Sequence, residues 1–402
     1  MTALEMERDP AERADAPAAV GAAHPGRRSP WGRALVAGAV AYGVSRVLVL
    51  VGALVAVRRS GSGDVTDALT VWDGQWYLSV VRDGYPADVP AGIDSVGLWP
   101  EARVGFFPLY PALVRLADPC IPGGAAVAAM AVNLVVGALV VYLVGLLARA
   151  WFGVDAARRS MVLVALVPAS AVLSLAYSEA AMMALAAACL LALHRRQWWL
   201  AGAAAALATA ARPNGLAVVL ACLVAAGLAI HERREWRALV APALAPLGFV
   251  AFHAYLAVRT GEAGVWFRVQ RLVWEEHLTF GASTAWDVRH ALLGPDRTLD
   301  QGLTALTVVV AVVLVAAARK VRLPAPAAAY SAAVLVLMVS TSTVTARPRF
   351  LYTAFPLLIA LAAWWPDDGH PASRRAWRAL VGGSGVGLVL LTAAFGAYDA
   401  VP

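Results

Sequence analysis

Charged side chains are scarce in this chain of 402 residues: they make up 15% of it, against about 25% in an ordinary soluble domain. That scarcity excludes a water-soluble enzyme and a disordered, charge-rich segment. Lysine is nearly missing, Lys320 being the single one among 33 basic residues, so the net charge of +7 rests on arginine. A uniform arginine bias of this kind is compositional and gives no reason to expect nucleic acid as a partner. Cysteine is limited to Cys120, Cys189 and Cys222. No two of them have the spacing of a metal site, which excludes a zinc cluster and a disulfide-stapled fold.

What fills the chain instead is apolar. Hydrophobic residues make up 60% of it and the mean hydropathy is +0.68. That is enough for roughly ten membrane spans of about 20 residues each. Residues 1–33 are polar and rich in Ala, Pro and Arg, and read as a disordered tail. The first apolar run, at about 34–57, is too long for the core of a signal peptide. Further runs follow at about 123–148, 160–176, 177–193, 198–211, 215–230, 238–258, 302–318, 325–345, 350–365 and 378–396. The expectation is therefore an all-α, polytopic membrane protein of about eleven helices. The pair 198–211 and 215–230 reads equally as two spans or as one helix broken at Arg212-Pro213-Asn214-Gly215.

Arginines set the orientation, because cytoplasmic loops of membrane proteins retain basic residues. With the N-terminus inside, the inside segments hold Arg149, Arg158 and Arg159, Arg195 and Arg196, Arg233, Arg234 and Arg237, Arg319, Lys320 and Arg322, and Arg374, Arg375 and Arg378. The expected location is the cytoplasmic membrane, with residues 34–396 as the membrane domain and 397–402 as an external tail. Two long loops, about 58–122 and 259–301, then lie outside. In the first, Leu69, Trp72, Trp76 and Val80 recur every three to four residues and predict an amphipathic helix over Thr66–Arg82, lying flat at the interface. No internal repeat is visible, which argues against an inverted-repeat transporter.

This topology collects unusual polar groups at the outer face. They are Trp72-Asp73, Tyr177-Ser178-Glu179, Arg212-Pro213-Asn214-Gly215 and Arg347-Pro348-Arg349. Ionisable groups at membrane depth line cavities or serve function. A carboxylate can accept a proton from an attacking hydroxyl. Arginines can hold a phosphate and stabilise charge that develops on it. The combination suits transfer from a phosphate-linked lipid. A flippase for a lipid-linked sugar could gather the same groups and is the alternative. Glu101 and Asp83 read as solvated loop charges or as a second acid. Arg46, within the first span, reads as a structural group, Asn133 and His253 as interhelical glue, and Glu275, Glu276 and His277 as a solvated cluster.

The stretch Val71-Trp72-Asp73-Gly74-Gln75-Trp76-Tyr77-Leu78, then Asp83-Gly84-Tyr85, then Gly105-Phe106-Phe107-Pro108-Leu109-Tyr110-Pro111, resembles the signature of the PIG-V family of mannosyltransferases and their bacterial relatives. Tyr177-Ser178-Glu179, Arg212-Pro213-Asn214-Gly215, and Arg349-Phe350-Leu351 with Phe355-Pro356 resemble later blocks of that family, in order, although the family often has Ser where Pro213 stands. The resemblance implies a GT-C glycosyltransferase, inverting and dependent on a polyprenyl-phosphate sugar, with mannose the expected sugar. It makes Asp73 the catalytic base. Trp72, Glu101, Tyr177, Glu179, Arg212, Asn214, Arg347 and Arg349 are then the candidate substrate-binding residues. No cofactor is required, a divalent metal stays open, and the acceptor (an envelope lipid, glycan or protein) is unassigned.

Overall fold

In a computed structural model of the chain, residues 29–61, 63–97, 99–342, 346–366 and 369–399 are described. The expected tail over residues 1–28 lies outside them, as does the end of the chain from residue 400. Among the described residues the secondary structure is helical, with one isolated antiparallel bridge between Leu278 and Thr341. The protein is a multi-pass membrane protein.

Among the described residues six helices are long and apolar enough to cross a membrane: Pro30–Ser60, Gly124–Phe152, Pro213–Arg233, Trp236–Thr260, Leu299–Val321 and Pro371–Gly396. The first begins at Pro30, a few residues before the predicted start, because Ser29 accepts a hydrogen bond from the Gly32 amide and Pro30 suits the first turn. Its outward positions Val40, Val44, Val47, Val51 and Leu54 are exposed. A row of large apolar side chains at that spacing needs lipid as its solvent.

The remaining predicted spans are shorter or broken, and proline is the common cause. The run at 160–176 ends its helix at Leu166, continues as a 3-10 turn over Pro168–Leu173, and becomes irregular before Glu179. The run at 350–365 is split between Pro348–Thr353 and Pro356–Trp364. Residues 198–230 form two helices, Trp198–Thr209 and Ala217–Arg233, separated by extended Arg212 and a 3-10 turn from Pro213. Proline lacks the amide that would continue an α-helix and clashes with the preceding turn. Each break falls at the same end of the bundle, where backbone polar groups meet polar side chains rather than lipid.

Helix Glu179–His194 is the axis of the core. Its residues from Glu179 to Leu193 are almost all buried, so it is apolar all round below its first turn. Helices Gly124–Phe152, Trp198–Thr209 and Ala217–Arg233 pack around it. Helix Pro30–Ser60 packs against Pro371–Gly396 and Val154–Leu166. Arg46 fastens this second group: its guanidinium donates to Ser174 Oγ at 2.6 Å and to the Ser170 carbonyl at 3.0 Å. It is a structural group that satisfies the backbone freed by the Pro168 break.

Small residues let the helices approach closely, as membrane packing requires. A Cβ at Gly52 would lie 2.7 Å from Thr392 Cβ and 2.7 Å from the Val389 carbonyl oxygen. At Gly43, on the same helix, nothing lies within 4 Å. Gly52→Val is therefore expected to lose about 1–3 kcal/mol, the usual penalty of overpacking. Gly43→Val should leave stability unchanged, and thermal unfolding of the detergent-purified variants compares the two.

Candidate functional site

The predicted amphipathic helix is interrupted where the function is expected. It divides into Val65–Thr70 and Asp73–Asp83, and Trp72 between them has φ 57° and ψ −125°. Positive φ is uncommon for a residue with a Cβ and costs on the order of 1–3 kcal/mol. The surroundings hold it there. The Trp72 indole packs against Tyr398 at 5.3 Å and its Nε1 donates to the Phe395 carbonyl at 3.4 Å. The periodic stripe runs through this break, so hydrophobic spacing alone does not reveal it. The consequence is that Asp73 becomes the first residue of a new helix rather than a mid-helix side chain.

The partner segment is the irregular stretch before Glu179. Asn133, on helix Gly124–Phe152, donates to the carbonyls of Leu175 at 2.5 Å and Tyr177 at 2.7 Å. The Ala176 amide donates to the Leu69 carbonyl at 3.2 Å, and the Asp73 amide to the Tyr177 hydroxyl at 3.2 Å. Tyr77 and Ser178 share a hydrogen bond of 2.5 Å. Burial pushes the Tyr77 phenol up to about 12, the Arg212 charge opposing it, so the hydroxyl stays neutral. Asn133 is thus glue of a specific kind, because it fixes the turn that carries Tyr177 and Glu179. Tyr77 and Ser178 lie within the quoted motifs but were not among the candidate site residues, and their motif membership is the one signal that points to them.

Four charges meet between these segments. Arg349 Nη1 donates to Asp73 Oδ2 at 2.6 Å and lies 3.8 Å from Glu179 Oε1. Arg212 Nη1 lies 2.7 Å from Glu179 Oε2. The side chains of Glu179, Arg349 and Arg212 are 0%, 8% and 9% exposed, while that of Asp73 is 23% exposed. The quartet is balanced, two carboxylates against two guanidiniums, and only Asp73 reaches toward solvent. The Arg349 guanidinium also lies over the Phe350 ring at 4.8 Å and the Tyr177 ring at 5.3 Å. Both Glu179 oxygens are buried without an aligned hydrogen-bond donor among the described residues, so charge alone compensates them.

The other candidates spread outward from this centre. Asn214 donates to Thr353 Oγ1 at 3.4 Å, beside the quartet on the Arg349 helix. Arg347 is directed into a separate polar cavity, 3.9 Å from Asp300 Oδ2. Glu101 sits on the 3-10 turn Pro100–Gly105, and among the described residues no hydrogen bond or ion pair joins it to Asp73. No group of three or more His, Cys, Asp or Glu side chains able to hold a metal ion is found among the described residues. Below Arg347 and Pro348 an apolar cavity of about 450 Å³ runs between helices Leu299–Val321 and Pro371–Gly396, lined by Leu303, Leu306, Val310, Leu351, Leu361 and Leu390 among others.

Removing one partner from a buried ion pair costs about 3–5 kcal/mol. Removing a partly exposed one costs far less, about 0–1 kcal/mol at the surface limit. Glu179→Gln strips Arg212 of its contacting carboxylate, whereas Asp73→Asn leaves Arg349 close to Glu179. Thermal unfolding of the purified variants is expected to show a larger loss for Glu179→Gln than for Asp73→Asn.

No protein of curated function matches the chain in sequence. Among solved structures, ArnT from Cupriavidus metallidurans bound to undecaprenyl phosphate superposes with a TM-score of 0.55 at 16% identity, over 92% of this chain and 76% of that one. AglB, the oligosaccharyltransferase of Archaeoglobus fulgidus, in complex with an inhibitory peptide and a dolichol-phosphate, gives a TM-score of 0.47 at 12% identity, over 89% of this chain and 56% of that one. The likeness to ArnT establishes the fold as that of the GT-C membrane enzymes. Residues 107–344, more than half the chain, match glycosyltransferase family 87, and the chain belongs to that family.

Proposed function

We propose that this glycosyltransferase moves a sugar from a polyprenyl-phosphate donor to an envelope acceptor by a single inverting displacement, with Asp73 as the base. The observation that carries this reading is the Asp73–Arg349 pair at 2.6 Å, partly open to solvent, with Pro348 beside Arg349 on the wall of an apolar cavity. Asp73 accepts the proton of the acceptor hydroxyl as its oxygen attacks the anomeric carbon. The bond from that carbon to the phosphate oxygen breaks, and its electron pair leaves on the phosphate. Arg347 and Arg349 stabilise that charge, which is greater in the transition state than in the bound donor. The apolar cavity suits a prenyl chain, since its walls are aliphatic and face a membrane-spanning seam. ArnT, whose fold the chain shares, is bound to undecaprenyl phosphate in its structure, in keeping with such a donor.

Mannose is the sugar suggested by the resemblance of the Trp72–Tyr85 segment to the PIG-V family; that segment precedes the residues matched by family 87. The outer face of the cytoplasmic membrane is the side suggested by arginine placement. Arg195 and Arg196 follow the far end of the helix that begins at Glu179, and Arg319, Lys320 and Arg322 the far end of the helix that begins near Arg347. A flippase remains the weaker reading, because family 87 is a family of transferases.

The test is transfer of radiolabelled mannose from polyprenyl-phosphate mannose to membrane acceptors. General-base catalysis contributes about 10²–10⁴-fold, so Asp73→Asn is expected to lose activity by that factor while still binding undecaprenyl phosphate. An Asp73→Asn protein with full transfer overturns the mechanism. A chelator added to the wild type reports directly on metal dependence.

A further inference from the structure

The second polar cavity has an assignment of its own. It holds about 560 Å³ and is lined by Trp286 and Asp287 from one helix, Thr298, Asp300 and Gln301 from the start of the next, and Arg347. That volume falls in the range of small-molecule sites. Its walls are fixed from both sides. The segment around Leu278 pairs with Thr341, the Thr279 amide donates to the Ser340 carbonyl at 2.8 Å, and the Ser342 amide to the His277 carbonyl at 3.0 Å. Thr298 and Gln301 form a capping box, each side chain accepting from the other's backbone amide at 3.2 Å. That bond uses the Gln301 carbonyl oxygen and leaves its amide nitrogen as a donor. Trp286 is 54% exposed although it lines the cavity, and His290 is stacked on it at 3.7 Å.

Resting on the donor reading above, we infer that this cavity receives the sugar ring of the donor and selects a neutral, hydroxyl-rich pyranose. Two features point to it. First, the cavity adjoins the apolar one: Thr298 and Asp300 line the first while Leu299 lines the second, and Arg347 and Pro348 divide in the same way. A lipid whose chain lies in the apolar cavity and whose phosphate meets Arg347 has its sugar here. Second, the lining matches the two surfaces of a pyranose. Its C–H face suits the exposed indole, and its hydroxyls are donors that suit the carboxylates of Asp287 and Asp300. The same carboxylates repel a uronate, so an acidic sugar is disfavoured. Asp300 also lies 3.9 Å from Arg347, which places the hydroxyl-binding groups next to the phosphate-binding one.

Binding to the full-length protein in detergent tests this, by displacement of radiolabelled undecaprenyl phosphate. The probes are undecaprenyl phosphate itself, its mannosyl form and its glucuronyl form, against wild type, Trp286→Ala, Trp286→Phe and Arg347→Gln. An aromatic contact is worth about a threefold to tenfold gain in affinity. The mannosyl lipid is expected to exceed the bare lipid by about that factor in wild type and Trp286→Phe, and to lose the advantage in Trp286→Ala. The glucuronyl lipid is expected to show no gain. Arg347→Gln should weaken all three lipids together. Equal binding of bare and mannosyl lipid by the wild type overturns the sugar subsite while leaving the donor reading intact. So does a gain that survives Trp286→Ala, or a Trp286→Ala effect confined to the KM of an acceptor. Failure of the wild type to bind bare undecaprenyl phosphate overturns both.

Discussion

The architecture at one end of this bundle depends on accommodating the Glu179 carboxyl group inside protein. An isolated buried carboxylate is heavily penalised, and this one is fully buried with no aligned hydrogen-bond donor among the described residues. Arg212 and Arg349 must both approach it, and they arrive from different segments. Each is delivered by a proline-started break: Pro213 follows Arg212, and Pro348 lies between Arg347 and Arg349. The broken helices are therefore part of the charge arrangement, since unbroken spans would carry these guanidiniums past the carboxylate. Asp73 joins as a fourth member, held by Arg349 and by a backbone bond to Tyr177.

The division of labour within the quartet follows from exposure. Glu179 has no route to solvent and acts on its neighbours through charge, fixing two arginines in place. Asp73, 23% exposed, has such a route, and for this reason the proposed mechanism assigns the base to it. The two carboxylates thus differ in environment, one enclosed by protein and one partly open to solvent. Arg349 links the two, because it pairs with Asp73 and stands beside Glu179.

Much of this was legible in the sequence. The apolar composition and the arginine distribution announced a polytopic helical protein, and the motif residues Asp73, Tyr177, Glu179, Arg212 and Arg349 were named before their proximity was seen. Their pairing was not legible: Asp73 and Arg349 are 276 positions apart, and nothing local specifies which arginine meets which acid. The break at Trp72 was missed because Leu69, Trp72, Trp76 and Val80 keep helical spacing through it, while tertiary contacts with Phe395 and Tyr398 fix the strained residue. Two predicted spans proved broken for a reason visible in the letters, since Pro168 and Pro356 lie inside apolar runs that a hydropathy window reads straight through. The wall of the second cavity was invisible in principle: Trp286, Asp300 and Ser342 belong to three segments brought together by loop pairing.

The order of the four charges along the chain also bears on biogenesis. Asp73 and Glu179 are synthesised first, Arg212 next and Arg349 well after the others. During insertion, Glu179 heads an almost wholly apolar helix before its second arginine exists. Arg212, on the helix pair that follows at once, is the earlier of the two arginines that meet it. Segment Pro348–Thr353 then closes the assembly like a keystone set last. A chain halted before that point holds the apolar scaffold and both acids but lacks the group that aligns Asp73. The pairing of Asp73 with Arg349 is in this way deferred until the late helices have docked.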